Sequence, residues 1–373
     1  MTLVALLLLP LAGGLVLARV PRNLTREIAL VVAALEGLLA IVALYEAGQG
    51  TPLAFNADWL PAAGIAIRLR ADGVSSALLV LNALITTAAL LATRVAEIRR
   101  PRLFVGLLLA TATGTAGVLL AQDLVLFYVF WEAVLVPLFA LIAIYGEGRR
   151  GQAALKMLIY TGGASLAMLV AILAIFAAHP GTPTFAIDQL TRSNLSGTRG
   201  LLGLTPADVA FLGLALAFAV KSPLFPFHGW MLDAYTACPT PVLMVLAGVV
   251  SKLGPYGFFR VASPLLPASA QRFAPLLMTL AAVGIVYGAL LALRQTDARR
   301  MVVYLSLSHM CFITLGVTSL TPAGMSGAAV QMVNHGILIA ALFFIIGHLA
   351  RQAGSRDLER ITGLSRGAPR LAA

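Results

Sequence analysis

Five ionisable side chains stand out in the apolar stretches of this 373-residue chain: Glu132, Lys221, Lys252, His309 and His335. A charge near the centre of a bilayer costs at least ~3 kcal/mol on insertion scales, so each demands a reason for being there. The lysines carry the sharpest signal. The chain has 26 Lys and Arg residues, yet only Lys156, Lys221 and Lys252 are lysines, and the last two lie inside apolar segments. A buried lysine can lose its proton near neutral pH; an arginine cannot. A sequence that uses arginine for surface charge and keeps lysine for the interior suits proton handling. The bland alternative, a lysine snorkelling to the interface, is weakened by two such lysines, each with a helix-breaking proline nearby.

Those prolines predict local breaks. Pro223 cannot donate to the carbonyl of Ala219, nor Pro226 to that of Ser222, and the freed carbonyls should flank Lys221. Pro255 should likewise free the Ser251 carbonyl beside Lys252. Discontinuous helices with an ionisable residue at the break are a transporter signature, because broken backbone survives in a membrane only where protein or water re-satisfies it. Glu132 lies eight residues past Leu124, so roughly 12 Å into its helix at ~1.5 Å per residue, and Pro137 frees the Ala133 carbonyl. A carboxylate at that depth is protonated or paired. A Glu bonded to neighbouring backbone is the structural alternative. Beside Lys221, Glu132 would hold the lysine charged, and its withdrawal would let the proton go. His309 sits among Tyr304, Ser306 and Ser308, and His335 follows Gln331 and Asn334. A lone histidine in an apolar helix is more often a core residue. Lysine, histidine and hydroxyls on adjacent helices read instead as a hydrated relay. His228 and Asp233 fall at the end of their span, and His348 falls near a helix end that suits the interface.

The elements that must position these groups are membrane helices. The chain is 60% hydrophobic and 11% charged, with mean hydropathy +0.94. Runs of ~20 apolar residues recur throughout, which predicts an all-α polytopic membrane protein. Eleven spans are expected, near 2–18, 27–47, 73–93, 103–121, 124–145, 152–178, 207–229, 240–261, 273–293, 301–319 and 327–350. Eighteen Lys and Arg residues fall in loops after odd-numbered spans and six after even-numbered ones. That asymmetry places the N-terminus outside and the C-terminus in the cytoplasm. It also accounts for the net charge of +11 without nucleic acid. The opening MTLVALLLLPLAGGL lacks a basic flank and reads as a retained first helix. Cys238 and Cys311 lack metal-ligand spacing and read as small core residues. The 48–72 loop reads as an external segment with short strands. The 179–206 loop reads as a connector, whose Asn194-Leu195-Ser196 sequon carries little weight. The sequence shows no P-loop, dinucleotide fingerprint, haem-attachment motif or cysteine cluster, so the expectation is no ATP site and no redox centre in this chain.

The stretches FYVFWEAVLVPLFALIAIYG, AFAVKSPLFPFHGWMLDAY, PTPVLMVLAGVVSKLGPYGFFR, YLSLSHMCFITLG and QMVNHGILIAALFFIIGHL together resemble the antiporter-like membrane subunits of respiratory complex I, the proton-translocating NADH:quinone oxidoreductase. The FWEAVLVP and SKLGPYGFFR wording favours the M (chain 4) type over the L and N types. The multisubunit sodium/proton antiporters share the Glu and Lys positions. The resemblance covers nearly the whole chain. It implies two inverted five-helix repeats, each with a broken helix: N-terminal helices over 1–102, a first repeat over 103–261 and a partial second repeat over 262–373. It implies Glu132 and Lys221 as the coupling pair, with Lys252 and His335 continuing a central polar axis and His309 on the same path. It further implies no cofactor in this chain, with NADH, FMN, iron–sulfur clusters and quinone in partner subunits. The expected partners are L-like and N-like membrane subunits, a peripheral redox arm and the lipid of a cell inner (plasma) membrane.

The family pattern continues for about three more helices beyond GAPRLAA, so the second repeat is expected to be incomplete here. Three functions follow. The first is proton translocation driven by redox chemistry in partner subunits. The second is cation/proton antiport without redox coupling. The third is a scaffold that has lost conduction; it gives no reason to keep three costly buried charges.

Overall fold

A computed structural model of the chain describes residues 1–191 and 203–360. Arg192, Arg199, Arg366, Arg370 and the Asn194 sequon lie outside the described residues. The described chain is helical but for one hairpin, and ten of its helices are long and apolar enough to cross a membrane. In order these are α1 (Thr2–Val16), α2 (Thr25–Gly48), strands β1 (Leu53–Leu60) and β2 (Ile65–Ala71), α3 (Gly73–Ala92), α4 (Pro101–Leu120), α5 (Leu124–Tyr145) and α6 (Arg150–Ala177). A short α7 (Ile187–Leu190) precedes the broken pair α8 (Pro206–Lys221) and α9 (Gly229–Ala237). Next come α10 (Thr240–Gly248), a 3-10 turn over Val250–Lys252, α11 (Leu253–Gly257), a π-turn over Phe258–Ala262 and α12 (Ser263–Leu265), which together form one irregular span. The chain continues as α13 (Pro267–Leu293), α14 (Ala298–Thr318) and α15 (Pro322–Ala353).

Ten of the eleven expected spans coincide with long helices. The seventh, expected over 207–229, is the exception. Its helix stops at Lys221, the chain runs irregularly from Ser222 to His228, and helix resumes as far as Ala237. Two prolines within five residues of Lys221 deny the helix its next donors, and the break falls where they stand.

Polar side chains start several of the helices. Asp72 and Ser75 form a capping box on α3, and Thr205 and Asp208 form one on α8. Asp123 accepts from the amides of Val125 and Leu126 at the start of α5. Each cap satisfies donors that the first turn leaves orphaned.

Hydrogen bonds sort the loops into two ends. The β1–β2 hairpin follows the second span. Its Arg68 carbonyl accepts from the amide of Gln122, which follows the fourth, and its Gly64 carbonyl from that of Phe185, which follows the sixth. Arg260, closing the eighth, pairs with Asp72 at 2.8 Å. Gly64 turns the hairpin at φ 73°, and a Cβ there would run into the Pro183 carbonyl, so both conformation and space require glycine. The opposite end gathers the loops after odd-numbered spans. Arg351 pairs with Glu97 at 2.6 Å, Lys156 with Asp233 at 2.6 Å, and Arg356 with Glu147. The expected parity of the loops is therefore what the contacts show. Between the two ends, Phe127, Trp131, Phe218 and Phe258 interlock in stacked and edge-to-face pairs around the break. Cys238 and Cys311 are free and buried, as small core residues.

Candidate functional site

Lys221 is the last residue of α8, and it is buried. The C-terminal end of a helix carries about half a negative charge from its aligned peptide dipoles, so a cation is favoured there. The Lys221 ammonium nitrogen Nζ lies 4.9 Å from the centre of the Trp131 ring, a cation–π contact worth about 0.5–2 kcal/mol depending on desolvation. The carbonyls around it differ from expectation. That of Ala219, which Pro223 cannot reach, accepts from the amide of Leu224 at 2.8 Å. That of Val220 accepts from Trp230 Nε1 at 2.9 Å. The chain thus closes its own break, and the Ala219 carbonyl does not stand free beside the lysine.

Lys252 repeats the arrangement on the neighbouring span. It is fully buried in the 3-10 turn that follows α10, and its Nζ folds back to the carbonyl of Ala247 at 2.5 Å, in the last turn of α10. Pro255 of α11 withholds a donor from the Ser251 carbonyl, which lies within the 3-10 turn over Val250–Lys252. The lysine uses the Ala247 carbonyl, not the Ser251 carbonyl that sequence favoured. Its Nζ also approaches Ser251 Oγ at 3.3 Å and His335 Nδ1 at 2.8 Å. On the far side of the imidazole, His335 Nε2 lies 3.4 Å from Ser306 Oγ, and the His309 ring is 5.5 Å from the His335 ring. Three spans, α10–α12, α14 and α15, therefore contribute to one row: buried Lys252, His335 and Ser306, and then half-buried His309.

The two lysine segments touch through Gly254. A Cβ there would strike Ser222 Oγ and lie 2.6 Å from the Phe218 carbonyl, so the turn carrying Lys252 presses directly on the end of α8. Glu132 is less tightly placed. It is half-buried on α5, one carboxylate oxygen is buried without a hydrogen-bond partner, and it makes no ion pair with Lys221 among the described residues. The contact that Lys221 does make is with the Trp131 ring, one residue before Glu132 on the same helix.

Other residues sort as follows. His228 clusters with Phe225 and Tyr287, with Nδ1 buried and without a hydrogen-bond partner. Asn334 faces outward, and His348 bonds Gln352 at the loop-rich end, consistent with an interfacial position. Sequence reasoning missed Trp131 and the Ala247 carbonyl. The first had a visible signal, since Trp131 adjoins Glu132 in sequence. The second had none, because a backbone acceptor has no residue type.

Residues 121–373 match the family described as NADH:quinone oxidoreductase/Mrp antiporter, transmembrane. The chain is 39% identical over 319 residues to a NAD(P)H-quinone oxidoreductase chain 4 of a Picosynechococcus species, covering 86% of this chain and 56% of that relative. The chain thus spans little more than half of that relative's length. Its fold matches a chain of respiratory complex I from Thermus thermophilus with bound NADH, with TM-score 0.90 and 32% identity over 100% of this chain and 76% of that one. It also resembles a chain of the Mrp complex from a Dietzia species, with TM-score 0.81 and 25% identity over 95% of this chain and 38% of that one.

Proposed function

Because this chain belongs to the NADH:quinone oxidoreductase/Mrp antiporter membrane family, we propose that it is a proton-translocating membrane subunit of the complex I type, driven by redox chemistry in partner subunits. The observation that carries this reading is the buried contact of Lys252 Nζ with His335 Nδ1 at 2.8 Å, with no carboxylate paired to the lysine among the described residues. Two basic groups in contact share one proton comfortably and repel a second. When Lys252 is charged it donates to Nδ1, which requires the His335 tautomer with its hydrogen on Nε2. Transfer of that proton to Nδ1 gives neutral lysine and a transient imidazolium. Release of the Nε2 proton toward Ser306 or His309 restores a neutral imidazole. One proton has then crossed the ring and none has been created or lost.

Lys221 and Glu132 supply the switch in this reading: a carboxylate within electrostatic reach favours the charged lysine, and any change in their separation alters its hold on the proton. NADH, FMN, iron–sulfur clusters and quinone belong to partner subunits, with L-like and N-like subunits alongside in an inner (plasma) membrane. The hairpin end is assigned to the outside and the opposite, arginine-rich end to the cytoplasm, following the arginine asymmetry. The Mrp likeness supports one other reading, sodium/proton antiport without NADH. Mild solubilisation of native membranes, capture of this subunit and assay of the assembly for NADH:quinone reductase separates the two. Activity with iron–sulfur spectra supports the redox-driven reading. An assembly inert to NADH that exchanges sodium for protons replaces it. In the first case, Lys221→Met should leave the assembly intact and lower NADH-driven proton pumping at least ~10²-fold, the lower bound for losing a positioned proton-transfer group.

A further inference from the structure

A second buried acid lies away from the lysines, between α2, α3 and α4. Glu36 is 1% exposed and Asn82 is wholly buried. Asn82 Nδ2 donates to Glu36 Oε1 at 3.0 Å and to the Ala112 carbonyl at 3.1 Å. The Ala112 contact fixes which way the amide faces, because the turned-over amide would set oxygen against oxygen. Two acceptors are then left over. Glu36 Oε2 and Asn82 Oδ1 are both buried and neither has a donor. Among the described residues no Lys, Arg or His pairs with Glu36. An ionised carboxylate here would be an uncompensated charge in apolar surroundings. A single hydrogen atom removes both deficits. On Oε2 it neutralises the carboxyl and gives Asn82 Oδ1 its missing donor.

We propose that Glu36 carries a proton in the folded protein and closes a two-bond ring with the Asn82 carboxamide, a protonation site separate from the lysine–histidine row. In that ring Nδ2–H donates to Oε1 and Oε2–H donates to Oδ1. Two aliphatic residues of α3 near Asn82 meet the helices of that row: Leu81 lies against Gly336 of α15, and Ile85 against Gly248 of α10, the two helices that carry His335 and the acceptor of Lys252. The contacts of Asn82 with Glu36 and with the Ala112 carbonyl tie α2 to α3 and α4.

Infrared difference spectroscopy on the purified membrane assembly at neutral pH tests the site, with melting midpoints measured in sodium and in potassium buffers. The wild-type chain should show a carboxylic-acid carbonyl band that Glu36→Gln abolishes. Asn82→Leu, which strips the acid of its partner, should move that band to higher wavenumber and lower the melting midpoint. Glu36→Gln should keep the wild-type midpoint, because its amide reproduces the donor and acceptor of the neutral acid. A wild-type spectrum without that band overturns the proposal, as does a Glu36→Gln chain that no longer assembles. A midpoint raised by sodium in wild type and not in Glu36→Gln would overturn it in favour of a carboxylate holding a monovalent cation.

Discussion

Lys221 and Lys252 are held by different neighbours but by the same electrostatic device, the C-terminal end of a helix that stops inside the bundle. Neither makes an ion pair among the described residues, and Lys252 has no carboxylate partner there to strand when its charge goes. Arginine cannot supply that reversibility. Lys252→Arg should therefore leave the assembly folded while abolishing proton pumping, measured in vesicles energised by the partner subunits; pumping at wild-type rate would remove Lys252 from the path. Arg299 shows the opposite use of a buried cation. Its guanidinium holds the Thr236 and Cys238 carbonyls at 3.1 and 3.0 Å and Thr240 Oγ1 at 3.1 Å, fixing the turn between α9 and α10. Arg299→Met strips three contacts from a buried turn and should cost about 2–3 kcal/mol, read as a lowered melting midpoint of the solubilised assembly.

The helices show how the site is assembled and why only part of it was legible. Apolar runs of bilayer length gave ten spans within a few residues, because a membrane helix must satisfy its whole backbone internally and therefore leaves a long uniform signature. The hairpin over 53–71 was legible as short strands in the loop after the second span. The lysines, Glu132 and both histidines were legible because charge among apolar residues is conspicuous. Their partners were not. Which carbonyl meets Lys252 depends on how the 3-10 turn after Gly248 folds back, and which ring meets Lys221 depends on where Trp131 packs. Glu36, a carboxylate inside the apolar run of α2, carried the same signal and was passed over; its partner Asn82 lies 46 residues away and has no mark in the sequence. The contact of α8 with the Lys252 turn was equally hidden, since nothing in the sequence marks Gly254 as a point of close approach. Gly254→Ala would drive a methyl into Ser222 and the Phe218 carbonyl and should destabilise by about 1–3 kcal/mol, with pumping reduced as the two lysine segments part. An unchanged melting midpoint would show that the segments can separate freely.

Across the bundle, the loops divide cleanly between two ends, and each end is tied by its own contacts. The orientation inferred from arginines is open to direct measurement. Asp58 on the hairpin and Ala96 at the opposite end are both exposed, while the native cysteines are buried. A membrane-impermeant thiol reagent applied to intact cells should label Asp58→Cys and spare Ala96→Cys, and inverted vesicles should reverse the pattern. The same labelling on intact cells and inverted vesicles would refute the two-ended assignment.

Depth within the bundle has a further consequence. Gly347 of α15 packs against Thr240, the first residue of α10. Lys252 and His335 each lie twelve residues inward from that shared level, and their facing nitrogens are 2.8 Å apart. A proton exchanged between them would therefore move only a small fraction of the ~30 Å hydrocarbon thickness. The transmembrane voltage does work only on charge displaced across the bilayer, about 2.3 kcal/mol per elementary charge per 100 mV for a full crossing. Voltage should thus leave the Lys252–His335 exchange almost untouched and act on the steps that bring protons to this level and take them away.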